Sequence, residues 1–175
     1  MASPRLPFRV MFATTILALV LATGDADAPE IDQAPAACPT TGDVVAVFTR
    51  KREIWLCRHG SEVGRIPVAL GRGGNGKKRS GDHRTPLGTY AFGTPRPSKQ
   101  YGTFIPIAYP TPEQASNGHS GSALGIHGPP RGQAEPEYPA TAVDWTLGCV
   151  ATGTDSDVET VAEFVRRYQA TLLVR

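Results

Sequence analysis

The run VVAVFTRKREIWLCR, from Val44 to Arg58, decides the fold class. Val44 to Thr49 and Glu53 to Arg58 are rich in β-branched and aromatic residues and are separated by the charged Arg50-Lys51-Arg52, a pattern that predicts a hairpin. His59-Gly60-Ser61 supplies a turn. Val63 to Leu70 continues as a third strand, with Pro67 expected at an edge or a bulge because it has no amide to donate. Thr89 to Phe92, Thr103 to Tyr109 and Ala123 to His127 have the same strand character, and Ala170 to Val174 ends the chain as another. Pro112 to Ser116 reads as one helical turn that begins at a proline and stops at Asn117-Gly118. A longer helix follows late in the chain. Ser156-Asp157-Val158-Glu159 has capping-box spacing, Val158, Val161, Ala162 and Val165 form an apolar stripe, and Arg166 and Arg167 close the last turn. With nineteen Gly and sixteen Pro spacing these segments, the expected fold is mostly β with one C-terminal helix packed on the sheet.

At 175 residues the chain is long enough for one core. Arg5 and Arg9 precede an apolar run from Val10 to Ala22, and Ala26-Asp27-Ala28 follows as a small-x-small site. Residues 1–28 are therefore expected to be a secretory signal peptide, with no membrane span after cleavage. Residues 29–42 are Ala/Pro-rich and aperiodic and read as a linker, leaving 43–175 as the domain. Export places the domain in the periplasm or cell wall. The formal charge is +2, too mild to argue for nucleic acid. Its distribution is uneven: Arg65, Arg72, Lys77, Lys78, Arg79 and Arg84 meet only Asp82, whereas Gly132 to Val165 is acidic with no Lys or Arg. Such a field could orient a charged substrate, or simply mark solvated loops.

Gly71-x-x-x-x-Gly76-Lys77 matches most of a phosphate loop, but Lys78 stands where a Ser or Thr is needed and the Thr85-Pro86 that follows opens no helix. A mobile Gly/Lys loop is expected there instead. Three cysteines in an exported chain leave one odd. Cys38 and Cys57 are the natural pair and Cys149 the free thiol, although spacing does not fix the connectivity.

A thiol of ordinary pKa, about 8.5, needs a base or a positive neighbour to act as a nucleophile at neutral pH. His127, delivered by a short strand, is the best supplier, and Gly148 lets the chain turn tightly at Cys149 so that adjacent amides can face an oxyanion. Thr146 adds a hydroxyl to the same turn. A buried inert thiol and a satisfied core histidine are the bland readings, which the combination of the two motifs weakens. His59 and His119 lie in turns, His83 in the basic loop could touch substrate together with Arg84, and no metal-ligand spacing links the histidines and cysteines.

The Gly71 to Gly76 loop, Gly81-Asp82-x-Arg84-Thr85-Pro86-x-Gly88-x-Tyr90, Ile126-His127-Gly128 and Asp144-Trp145-Thr146-x-Gly148-Cys149-Val150-Ala151 together resemble the YkuD-type L,D-transpeptidase catalytic domain. The resemblance implies a β-sandwich or barrel-like fold and action on peptidoglycan stem peptides without metal or cofactor. It makes Cys149 the nucleophile and His127 its base, with the Gly128 carbonyl orienting the imidazole and the Leu147 to Cys149 turn donating to the oxyanion. Attack on the third residue of a tetrapeptide stem would release D-alanine and leave a thioester, which an amine resolves into a cross-link. Leu147 and Ala151 depart from the family pattern, where His and Arg or Asn are common. An L,D-carboxypeptidase or amidase and a non-catalytic peptidoglycan-binding module are the alternatives, and the oligomeric state is open.

Overall fold

Val45 and Val47 point to one face of the first strand and Val44, Ala46 and Phe48 to the other, yet all five are buried. A strand that does not alternate between apolar and polar residues must be covered on both sides. In the computed structural model this is what happens to β1 (Asp43–Phe48) and to β2 (Glu53–Arg58), paired antiparallel from Asp43 opposite Arg58 to Phe48 opposite Glu53. One face joins the main core with Val45, Val47, Ile54 and Leu56. The other forms a smaller cluster in which Phe48 and Trp55 meet edge-on at 4.6 Å between ring centroids. Cys38 and Cys57 are disulfide-bonded at its margin, closing a separation of 19 residues, a constraint worth about 3 kcal/mol.

The described residues are 37–132 and 139–175, all within one compact unit, Ile31–Arg175. The expected leader and residues 29–36 of the expected linker lie outside them. After β3 (Ser61–Ala69) come β4 (Gly88–Tyr90), β5 (Arg96–Ser98), β6 (Gly102–Pro106), α1 (Pro112–Ser116), β7 (Gly125–His127), β8 (Val150–Thr152), α2 (Asp155–Tyr168) and β9 (Thr171–Val174). The described strands form one sheet in the order β4-β9-β1-β2-β3-β8-β7-β6-β5. It is mixed, since β1 runs parallel to β9 and β7 parallel to β8. The fold is thus mostly β, a curled half-barrel with a C-terminal helix. Helix α2 buries Val158, Val161, Ala162, Phe164 and Val165 against β6, β1 and β8. No helix among the described residues is long and apolar enough to cross a membrane.

Several local expectations are corrected. The α2 cap is Thr154, whose Oγ1 accepts the Asp157 amide at 3.1 Å. Ser156 lies inside the helix, and Glu159, the expected partner in a capping box, instead accepts from the Thr103 hydroxyl. Pro67, by contrast, pairs only with Glu53 of β2 and has an open edge on its other side, because the pairing of β3 with β8 starts at Val68. The 71–85 segment is a bonded cap rather than a mobile loop: amides of Gly76 and Thr85 donate to the carbonyls of Thr85 and Gly74 at 2.8 and 2.9 Å, and the Gly71 amide donates to Thr85 Oγ1 at 2.8 Å.

Candidate active site

Strand β7 is only three residues long, but all three are buried between β6 and β8, which fixes His127 on a two-sided ladder. Phe104 lies opposite His127 on one side and Ala151 on the other. Burial pushes the imidazole pKa below its ordinary value, with the bond to Gly128 acting in the opposite sense. His127 Nδ1 is 2.7 Å from the Gly128 carbonyl oxygen. A carbonyl only accepts, so the neutral ring carries its hydrogen on Nδ1 and leaves a lone pair on Nε2. Tyr101 stacks on the ring at 3.9 Å, and Trp145 stands tilted to it at 5.7 Å.

Cys149 precedes β8 in a turn sewn to the end of β3. The Leu70 amide donates to Asp144 Oδ1 at 2.9 Å, the Thr146 amide to the Leu70 carbonyl at 3.0 Å, and the Arg72 amide to the Thr146 carbonyl at 3.0 Å. Arg52 holds the segment from the other side through Asp144 and the carbonyls of Thr141 and Ala142. Within the turn, the Thr146 hydroxyl donates to the Cys149 carbonyl at 2.6 Å and its oxygen accepts the Gly148 amide at 3.1 Å. Gly148 is thereby a brace, and the amides of Leu147 and Cys149 are the turn's remaining candidates for oxyanion donors. Gly148 has φ +122, and a Cβ there would sit 2.7 Å from the Arg84 carbonyl oxygen.

The thiol is half-buried and free, with Sγ 3.8 Å from the carbonyl of Ala123, a residue held at φ 57. Burial pushes the Cys149 thiol up to about 11, although the Gly125 amide and the Lys77 charge both pull it down. Thiol and imidazole are therefore both neutral at pH 7. Such a pair can act by passing the thiol proton to Nε2 as sulfur attacks, without a resting thiolate.

Cys149, His127, Thr146 and Leu147 line one cavity of about 360 Å³. Gly128 and Gly148 are not among its lining residues. Tyr101, Phe104 and Trp145 make its aromatic wall, and Arg96, Ser98 and Gln100 its polar end. Leu147 is 61% exposed at the rim. His83 and Arg84 do not line the cavity: the His83 ring faces Arg72 at 3.4 Å, and Arg84 Nη1 donates to the Asn75 carbonyl at 3.4 Å. Sequence reasoning missed the aromatic wall and Arg96. Trp145 stood inside the cysteine motif, whereas Arg96 sits in a strand of three residues around a proline, which carries no strand signal. It also missed Lys77, whose buried ammonium pairs with Asp82 at 2.7 Å. Among the described residues no group of three or more His, Cys, Asp or Glu could hold a metal ion.

Comparison with solved structures places the helical cell shape determining protein Pgp2 from Campylobacter jejuni at a TM-score of 0.63 and 20% identity, covering 77% of this chain and 47% of that one. Bd1075 from Bdellovibrio bacteriovorus has a TM-score of 0.55 and 17% identity, covering 78% and 48%. An L,D-transpeptidase from Xylanimonas cellulosilytica has a TM-score of 0.46 and 16% identity, covering 78% and 62%. At these identities the first two likenesses are of fold, and the chain spans about half the length of either protein. A search of curated proteins finds no match. The family described as YkuD, L,D-transpeptidase catalytic domain, matches residues 42–172, from the first strand to the last, and the chain belongs to that family.

Proposed function

We propose that the chain is an extracytoplasmic cysteine acyltransferase acting on peptidoglycan stem peptides. The observation that carries this reading is the meeting, in one cavity, of a free thiol and an imidazole whose Nδ1 is fixed by the Gly128 carbonyl. As Cys149 Sγ attacks the carbonyl of the third stem residue, His127 Nε2 takes the thiol proton. The amides of Leu147 and Cys149 face the developing oxyanion. The imidazolium then returns the proton to the departing amine, so that D-alanine leaves and a thioester remains. An amine from a neighbouring stem, deprotonated by the same imidazole, resolves the thioester into a cross-link; water in its place gives a tripeptide. The Cys38–Cys57 disulfide supports an oxidising compartment.

Cys149→Ala is expected to abolish D-alanine release from a tetrapeptide muropeptide and acylation by a carbapenem, both read by mass spectrometry. Unchanged D-alanine release in that variant would remove the nucleophile assignment. Cross-linked dimers among wild-type products identify transfer and tripeptides hydrolysis. A wild type that does neither, yet sediments with purified sacculi, is a binding module.

A further inference from the structure

Directly opposed residues on adjacent strands point to the same face of a sheet. Arg96 is opposite Phe104 in the β5–β6 ladder, and Phe104 is opposite His127 in the β6–β7 ladder. The three therefore form one row across the sheet. The side chains follow that row: the Arg96 guanidinium carbon lies 5.2 Å from the Phe104 ring centroid, and the Phe104 and His127 rings are near-parallel at 6.5 Å. Two strand spacings put the Arg96 backbone about 10 Å from that of His127.

Among the described residues no carboxylate pairs with Arg96, in contrast to Arg52, Arg58, Arg65 and Arg131, which bond Asp144, Asp43, Glu62 and Asp155. Arg96 lines the cavity that holds Cys149, and among the described residues none that lines it is acidic. Ser98 and Gln100 stand beside it at the same end. A guanidinium resting on an aromatic face loses little freedom when it binds, and its fork of N–H donors matches a carboxylate in bidentate fashion.

We propose that Arg96 is a substrate-binding residue that takes a carboxylate of the peptide while the scissile carbonyl lies at Cys149. Resting on the proposed function, this narrows the substrate class to stem peptides with a free carboxylate close to the bond that breaks. Two carboxylates have that chemistry: the α-carboxylate of the departing residue, and a side-chain carboxylate on a third residue that is a diamino diacid. The first would make the reaction terminal, since a peptide continuing past the fourth residue has no α-carboxylate there.

The test uses equilibrium binding as well as turnover. Cys149→Ala protein is titrated with three tetrapeptide stems: one unmodified, one amidated at its terminus and one amidated on the third-residue side chain. The expected result is at least a tenfold weaker Kd for one amidated peptide, and an equal loss on the unmodified peptide when Arg96→Gln is added. In that double variant the free and amidated forms should bind alike. In the otherwise native enzyme, Arg96→Gln should raise KM about tenfold with little change in kcat, as expected for a contact made equally in ground and transition states. Whichever amidation the Arg96 protein penalises identifies the carboxylate. Equal binding of all three peptides by the Arg96 protein, or a penalty that persists in Arg96→Gln, overturns the proposal. D-alanine release in the same assays keeps the two readings apart: release that depends on Cys149 but ignores Arg96 leaves the proposed function standing and this inference lost.

Discussion

A glycine-rich loop and a turn with a single glycine meet beside the nucleophile and are built in opposite ways. In the 71–85 loop one ion pair is turned inward. The Lys77 ammonium, only 4% exposed, donates to Asp82 at 2.7 Å and to the Arg79 carbonyl at 3.0 Å. Asp82 also accepts the amides of Lys78, Arg79 and Arg84. Burial works against the Asp82 carboxylate, but Lys77 and those three amides outweigh it and hold its pKa well below the usual range. In the 144–150 turn the Thr146 and Gly148 amides and the Cys149 carbonyl are bonded, while the sulfur is poorly partnered. Its contacts are a long one to the Ala123 carbonyl and the Gly125 amide, and burial raises its pKa. Glycine marks where backbones must approach closely. Reactivity falls to the segment whose polar atom is left incompletely partnered.

The largest break in that contrast is His127→Gln, which removes from β7 the base that serves the thiol and leaves the loop untouched. D-alanine release should fall about a thousandfold, close to 4 kcal/mol of barrier. The pH dependence has a definite sign. Because burial disfavours the imidazolium, the acid limb of the wild-type acylation rate should have its midpoint below the ordinary histidine value of about 6.5. Alkylation of the substrate-free thiol by iodoacetamide should instead keep rising through the alkaline range towards about 11. An acylation midpoint at or above 6.5 would contradict a buried neutral base.

Asp82→Asn breaks the other side. It leaves the Lys77 ammonium buried against a neutral amide and should cost about 3 kcal/mol in chemical denaturation at pH 7. Lys77→Met/Asp82→Asn should recover most of it, since no charge is then stranded. Asp82 has a depressed folded-state pKa, so its contribution is fully present above the unfolded carboxylate value of about 3.9 and is lost as pH falls through the lower folded one. The difference between wild type and variant should thus be level near neutrality and shrink only in strong acid. A loss under about 1 kcal/mol at pH 7 would mean that the pair does not hold the loop.

Sequence carried the strands unevenly. β1 and β2 were legible from their β-branched and aromatic content, α1 from its proline start and Asn117-Gly118 stop, and the body of α2 from an apolar stripe at helical period. β5 and β8 were not, since Arg96-Pro97-Ser98 is built around a proline and Val150 to Thr152 directly follows the Gly-Cys turn, and the parallel pairings of β1 with β9 and β7 with β8 depend on where the chain returns after a crossover. His127 and Cys149 stood out because their residue types and glycine neighbours are chemically rare together. Lys77 looked like one more solvated cation in a basic stretch. Nothing local signals that Asp82, five residues on, folds back over it, or that Gly121, from a distant segment, leaves room for its aliphatic stem. Sequence spacing misplaced the α2 cap because Ser156 and Glu159 fit a pattern that Thr154 fulfils by geometry alone.

The smallest expected effect tests whether loop and turn act as one unit. In Gly148→Ala the new methyl must displace the Arg84 carbonyl, 2.7 Å from the Cβ position, at a backbone angle of φ +122 that side chains rarely adopt. Because the Arg84 amide is tied to Asp82, that carbonyl cannot retreat without loosening the loop. The expected cost is about 2 kcal/mol in stability, together with slower acylation as Cys149 shifts. If the loop is the rigid member, adding Asp82→Asn should make the two penalties less than additive, because a loosened loop can yield to the methyl. Strict additivity in that double-mutant cycle would show the turn to be shaped by its own Thr146 bonds and by its seam with β3, with the loop only adjacent to it.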